Sequence, residues 1–441
     1  MESRLVRSLY FKEVSPGVIG VYNPIQGHNF AFISKDLFNT LRQRKPVDGK
    51  YVEDLEKLRE KKFIVPEDFS EKSYFDGLRK NLEIDIHLMY LLVSQDCNLA
   101  CSYCFEELPL REKGLMPLDI AEKAVDFFFR ISTPKRKIIF YGGEPLLNKK
   151  VVRAAISRIR SYEEKAPSDI VVITNGTLVD RNTARFLSDN KVNVSVSIDG
   201  PEALHDISRI DRLGRGSYSR AIKGYRLLKE SGVNPSISCT IGEHNLEQLV
   251  SIAEFFSGEL KPFSVGFNLL IRSNGNGMPF EGYSETATKN LLEAFETLRN
   301  HGIYEDRIMR RLEKVCNGEC YLKECAAYGN QIVVRYDGKV GPCHAFSPTG
   351  EFFTGDIKRE DFKINPEIFD FWARRNPLNN VSCENCPAIT LCGGGCAFNA
   401  HTETGDINSI DKSICIHTYR LIDWVLQRTW EKLNGVNIPK L

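Results

Sequence analysis

The stretch Asp96-Cys97-Asn98-Leu99-Ala100-Cys101-Ser102-Tyr103-Cys104-Phe105 follows directly on an apolar, strand-like run over 88–93. Three cysteines therefore share one short loop at the end of an expected strand. Thiolates are soft ligands that select iron–sulfur clusters or zinc, and three of them can hold three irons of a cubane while the fourth keeps no protein ligand. An iron with an open position is a reaction site. The competing use is a structural zinc site completed by a later cysteine. Zinc sites more often show paired Cys-x2-Cys knuckles, and the remaining ten of the thirteen cysteines lie far away and are organised otherwise.

Outward from this loop, apolar β-rich runs alternate with amphipathic stretches from about 88 to 300. The pattern predicts strands over 88–93, 137–141, 170–174, 193–198, 236–241 and 264–270. It predicts helices over 118–131, 151–164, 181–190, 218–231, 245–256 and 285–301. Six βα units imply parallel strands with right-handed crossovers, in a partial barrel or a doubly wound sheet. The suggestive segments each follow the carboxyl end of a strand: 97–104 the first, Gly142-Gly143-Glu144-Pro145 the second, Asn175-Gly176 the third, Asp199-Gly200-Pro201 the fourth. Sites of α/β folds are built there, and this placement favours a partial (β/α)6 TIM-type barrel.

A chain of 441 residues exceeds what one core usually serves, so two or three domains are expected. They are read as 1–80, 81–305 and 306–441. With 42% apolar and 27% charged residues the composition is that of a soluble globular protein, and no run approaches the ~18 apolar residues of a membrane span. No membrane partner is expected. The start Met1-Glu2-Ser3-Arg4-Leu5 has no apolar segment of signal-peptide type, which makes the cytoplasm the expected location. In that reducing compartment, clustered cysteines argue for metal ligation over disulfides. A net charge of +1 gives no case for nucleic acid.

Residues 1–80 read as hairpin strands over 10–22 and 29–33, helices over 35–42 and 52–61, and a closing Phe63-Ile64-Val65-Pro66. This suits a small winged-helix-like unit, either inert packing or a holder of peptide paired to an exposed strand edge. Beyond about 310 the periodicity fades into loops where cysteines gather, and the turn-rich Ser273-Asn274-Gly275-Asn276-Gly277 marks a seam before it.

The spacing Cys-x3-Cys-x2-Cys, with Tyr103 before and Phe105 after the last cysteine, resembles the signature of the radical S-adenosylmethionine (SAM) enzymes. The resemblance implies that Cys97, Cys101 and Cys104 hold a [4Fe–4S] cluster whose open iron chelates SAM. One electron then cleaves SAM to a 5′-deoxyadenosyl radical that abstracts a substrate hydrogen. By the same resemblance Gly142, Gly143, Glu144 and Pro145 contact the methionine amino group, and Tyr103 also lines the SAM site. Ser197-Ile198-Asp199-Gly200-Pro201 with His205-Asp206 and Arg209 resembles a block of anaerobic sulfatase maturases, which implies that Ser197 and Arg209 hold the SAM carboxylate. Asn175 either touches the ribose or makes a turn.

Cys325-x12-Gly338-x4-Cys343, Cys383-x2-Cys386-x5-Cys392-x3-Cys396 and Cys415 match the SPASM extension of radical SAM enzymes, which carries two auxiliary [4Fe–4S] clusters. Position by position, this implies Cys320, Cys325, Cys343 and Cys396 for the first and Cys383, Cys386, Cys392 and Cys415 for the second. Cys316 competes with Cys320, which is preferred; zinc knuckles over 383–396 are the rival reading. Cys239, on an apolar strand, reads as a packing residue. The three clusters so assigned use every other cysteine.

Related sulfatase maturases place an aspartate base immediately after the cysteine equivalent to Cys343, where this chain has His344. A neutral imidazole can still take a proton, or His344 supports a cluster. Gly341-Pro342-Cys343-His344-Ala345-Phe346 looks more like maturases of ribosomally made peptides (RiPPs). The resemblance therefore implies a precursor-peptide maturase installing a thioether or carbon–carbon crosslink, its leader held by residues 1–80 and its electrons drawn from an external donor such as flavodoxin or ferredoxin. The alternatives are a formylglycine-forming sulfatase maturase and a multi-cluster electron-transfer protein.

Overall fold

The computed structural model describes residues 3–25, 27–79, 83–106, 113–162, 168–270 and 281–435. The expected seam over 273–277 lies outside them. The chain divides into two compact units, each drawn from separated stretches of sequence.

The larger unit comprises Glu83–Arg307 and Ala326–Arg374. Its frame is a series of parallel strands: Leu88–Ser94, Arg136–Gly142, Ser168–Thr174, Asn193–Ser197, Ser236–Ile241 and Ser264–Leu269. They lie side by side in chain order, so the sheet winds in one direction without the reversal of a doubly wound sheet. Hydrophobic runs suit this position because both faces are covered: Met89, Leu91, Leu92 and Val93 are all fully buried. The covering helices show the matching stripe. In Leu118–Ile131, Ile120, Ala121, Ala124, Val125, Phe127 and Phe128 are buried, three or four residues apart or adjacent around one face.

The six strand positions follow the sequence pattern to within two residues at each end. What the pattern missed is the strand Gln331–Val334, which pairs in parallel with the open side of Leu88–Ser94 and carries Lys339–Gly341 and Gly355–Asp356 beyond it in antiparallel order. Its four residues are all buried, too short a run to show a period.

The other unit joins Met1–Leu82, Ile308–Cys325 and Arg375–Leu441. The expected strand over 10–22 is itself turned at Pro16-Gly17, where Gly17 takes φ +78°. The result is a three-stranded antiparallel sheet of Tyr10–Ser15, Val18–Asn23 and Asn29–Ser34, with the second strand central. Ser34 caps the helix Lys35–Arg42 by accepting from the Leu37 N–H at 3.2 Å. Ile19, Val21, Ile33, Leu37, Phe38, Leu58, Phe63 and Ile64 form one core.

The strand Ser3–Leu5 pairs with Ile64–Pro66. Buried Glu71 pins it by accepting from Arg4 Nη1 at 2.9 Å, the Arg7 N–H at 2.8 Å and the Ser8 hydroxyl at 2.9 Å.

Residues beyond 310 hold more regular structure than their composition suggested. The helix Lys412–Leu433 runs for 22 residues, and its Trp430 and Tyr419 rings meet Phe32 and Tyr10 of the sheet. No helix among the described residues is long and apolar enough to cross a membrane.

Candidate active site

Close backbone approach decides how the cysteine loop sits. The Gly143 N–H donates to the Ser94 carbonyl and the Glu144 N–H to the Asp96 carbonyl, both at 2.9 Å. A Cβ at Gly143 would stand 2.3 Å from the Asp96 oxygen and 3.1 Å from the Cys97 Cβ. Gly142, at φ +122°, would meet the Ser94 oxygen at 2.0 Å. Both glycines are thus required for this turn to lie flat against the loop. From the other side, Ala100 and Ser102 donate backbone N–H bonds to the carbonyls of Ile210 and Ser208 at 2.8 and 3.0 Å.

The three thiols are half-buried. Burial pushes Cys97 up to about 12, and Glu144, Cys101 and Cys104 push it the same way. Cys101 is also raised by burial, against the pull of Arg209. Such a group of soft, mutually opposed thiols fits a cationic iron centre, whose charge would hold them ionised. Among the described residues no three His, Cys, Asp or Glu side chains close on one point as ligands of a single ion.

Glu144 is fully buried and spends its carboxylate within the protein. Its Oε1 accepts from the Leu146 N–H and the Thr174 hydroxyl at 2.9 and 2.7 Å, and its Oε2 from the Asn175 N–H at 2.7 Å. Burial raises its pKa despite these donors. It therefore bolts the ends of the second and third strands together beneath the loop. Asn175 continues the network, donating from Nδ2 to Asn98 Oδ1 at 2.9 Å, close to Cys97 Sγ at 3.9 Å.

The fourth strand end carries a buried charge cluster. Asp199 Oδ2 accepts from the Tyr103 hydroxyl at 2.5 Å and from Arg209 Nε at 2.9 Å, while Oδ1 accepts from the Thr240 N–H at 3.0 Å. Burial alone would raise the Asp199 pKa, but Arg209 and the neighbouring histidines hold it well below the carboxylate range. Arg209 lies 5.5 Å over the Tyr103 ring, so Arg209 and Tyr103 of the cysteine loop are tied together through the one Asp199 carboxylate. Ser197 ends the same strand, half-buried. Sequence reasoning quoted Asp199 only as part of a block and missed His244, whose Nε2 stands 3.7 Å from Asp199 Oδ2 and whose ring stacks on Tyr103. It also missed Gln95, one residue before the quoted loop, which is 1% exposed with neither side-chain amide atom paired among the described residues.

His344 opens a short 3₁₀ turn directly after Cys343. Its ring stacks on Tyr90 at 4.7 Å and meets Tyr141 and Phe105 edge-on. Burial brings its pKa down to about 4, so the imidazole is neutral near pH 7.

The remaining cysteines fall into groups. Cys383, Cys386, Cys392 and Cys415 belong to one unit; burial raises the pKa values of Cys383, Cys392 and Cys415, and the neighbouring cysteines push them the same way. Cys320, Cys325 and Cys396 are in that unit too, and Cys343 is in the other. Cys396 is pushed up to about 12 by burial, by Asp411 and by Cys325. Cys316 is exposed and Cys320 half-buried. Cys239 is fully buried on its strand, where Asn245 Nδ2 stands 3.8 Å from its sulfur.

Residues 91–256 match the model of the Radical SAM superfamily. A cysteine-type anaerobic sulfatase-maturating enzyme of Clostridium perfringens is 26% identical over 70% of this chain and 88% of its own. A solved structure of native anSMEcpe with bound AdoMet and Cp18Cys peptide shares the fold at a TM-score of 0.65, with 22% identity, over 80% of this chain and 99% of that one. Streptococcus suis SuiB bound to its precursor peptide SuiA shares it at 0.55, with 15% identity, over 94% of this chain and all of that one.

Proposed function

From the premise that this chain is an enzyme carrying a radical SAM domain, we propose that it matures a ribosomally made precursor peptide by installing a thioether or carbon–carbon crosslink. The observation that carries the reading is the three-cysteine loop clamped between Gly142–Glu144 and the Asp199–Arg209 pair. It supports Cys97, Cys101 and Cys104 as ligands of one [4Fe–4S] cluster at the end of a partial barrel. When bound, that cluster and SAM supply one-electron cleavage and hydrogen abstraction.

The protein's own part is to bind and orient. Arg209, fixed at Nε by Asp199, presents its other guanidinium nitrogens to a carboxylate, with Ser197 at the same strand end. Gly142, Gly143 and Pro145 shape the turn, and Glu144 holds it rigid. Asn175 and Tyr103 border the same loop. The neutral His344 imidazole, walled by Tyr90 and Tyr141, is the acceptor for a substrate proton.

Cys383, Cys386, Cys392 and Cys415 suit an auxiliary cluster, and the other auxiliary set stays as the family resemblance implies it, with half-buried Cys320 ahead of exposed Cys316. Residues 1–80 act as a winged-helix-like domain holding the leader, for which the edge strand Tyr10–Ser15 supplies a pairing surface. Electrons come from a flavodoxin- or ferredoxin-like donor in the cytoplasm.

The SuiB fold spans 94% of the chain against 80% for anSMEcpe, which supports the precursor-peptide reading. The 26% identity to a sulfatase-maturating enzyme supports formylglycine formation as the second reading. Anaerobic incubation with SAM and a reductant, followed by mass spectrometry, separates them. A small cysteine- or aromatic-rich peptide encoded beside the gene should lose two hydrogens per crosslink. Conversion of a sulfatase-derived cysteine or serine peptide to formylglycine, with the neighbouring peptide untouched, would replace the first reading by the second.

A further inference from the structure

Tyr419 stands beside one of the assigned sulfurs. Its hydroxyl lies 3.4 Å from Cys386 Sγ, within hydrogen-bond reach for sulfur. Tyr419 and Cys415 are four apart on the helix Lys412–Leu433, and so occupy one face of it. The Tyr419 ring is held by the Tyr10 ring at 5.6 Å, and the Tyr10 hydroxyl is itself engaged, donating to Asp423 Oδ1 at 2.7 Å.

We propose that Tyr419 donates its phenolic O–H to the Cys386 thiolate and thereby sets the reduction potential of the cluster that Cys383, Cys386, Cys392 and Cys415 hold. This rests on the cluster assignment above. A ligating sulfur carries no proton, so Tyr419 must be the donor. Donation offsets the negative charge that a cluster gains on reduction, which raises its potential. Cys392 Sγ also receives a hydrogen bond, from the Gly394 N–H at 3.4 Å, but any backbone supplies that one. Tyr419 is a side-chain donor, open to substitution. It is a positioning and tuning residue, and it biases how readily this cluster passes an electron.

The test is an EPR-monitored redox titration of anaerobically reconstituted full-length protein. Tyr419→Phe should move one cluster's couple to lower potential by about tenfold in the reduction equilibrium, or 59 mV for one electron. The other couples and SAM cleavage should not change. Tyr10→Phe, which removes a hydroxyl aimed at Asp423, should shift nothing. Should Tyr419→Phe fail to hold the cluster, 3-fluorotyrosine at 419, a stronger donor of the same shape, should raise the potential.

Three titrating clusters with no shift in either variant would overturn the role of Tyr419 alone. Iron and sulfide content that does not fall in Cys415→Ala would overturn the cluster assignment beneath it.

Discussion

At the scale of single residues, the site depends on atoms that are absent as much as on those present. Gly143 has no side chain because the Asp96 carbonyl and Cys97 occupy the place where one would stand. Gly143→Ala should therefore displace the cysteine loop while leaving the other cysteine groups intact. Iron analysis should show the loss of one cluster's iron, and SAM cleavage should fall at least tenfold; unchanged iron and activity would mean that the loop tolerates the shift.

The Cys97, Cys101 and Cys104 loop was legible in the sequence because its three thiols sit close together along the chain. The Tyr103–Asp199–Arg209–His244 cluster was not. Tyr103 and Asp199 are 96 positions apart, and only the winding of the strands brings them together. Gln95 gave no signal at all, since a buried, unpaired amide has no sequence signature.

At the scale of elements, Leu88–Ser94 was readable because burial on both faces demands an unbroken apolar run, and Asn193–Ser197, Ser236–Ile241 and Ser264–Leu269 because one buried face makes apolar residues alternate. The later elements were less so. In Lys412–Leu433 the buried face includes His417 and Thr418 among its leucines and isoleucines, which blurs the helical period. In the amino-terminal segment the strand Ser3–Leu5 is only three residues long and depends on Glu71.

That dependence has a pH signature. Burial pushes Glu71 up, but the Arg7 N–H, Arg4 and Ser8 outweigh it and leave its pKa below the ordinary 4.5. A carboxylate lowered on folding contributes stability above its unfolded pKa, and that contribution disappears as the pH falls through the folded value. Glu71→Gln should destabilise this segment by about 3 kcal/mol at pH 7, because it leaves Arg4 buried without a countercharge. The gap in denaturant midpoint between the wild type and this variant should narrow below pH 4.5. A gap independent of pH would show that the carboxylate charge contributes nothing.

At the scale of the whole molecule, two discontinuous units each recruit chain from both sides of the other. Composition and periodicity report neighbours along the chain, so they cannot reveal that residues 1–82 share a unit with 375–441. Function at this scale rests on the proposal that the three-cysteine loop after the first strand holds a cluster with one open iron. The most direct test replaces Cys97, Cys101 and Cys104 together by alanine and compares the reconstituted protein with wild type. The wild type should contain iron and sulfide and convert SAM to 5′-deoxyadenosine and methionine under anaerobic reducing conditions. The variant should lose one cluster's iron and all cleavage, while keeping the signals of the remaining clusters. Cleavage that survives in the variant, or zinc in place of iron in the wild type, would contradict the account.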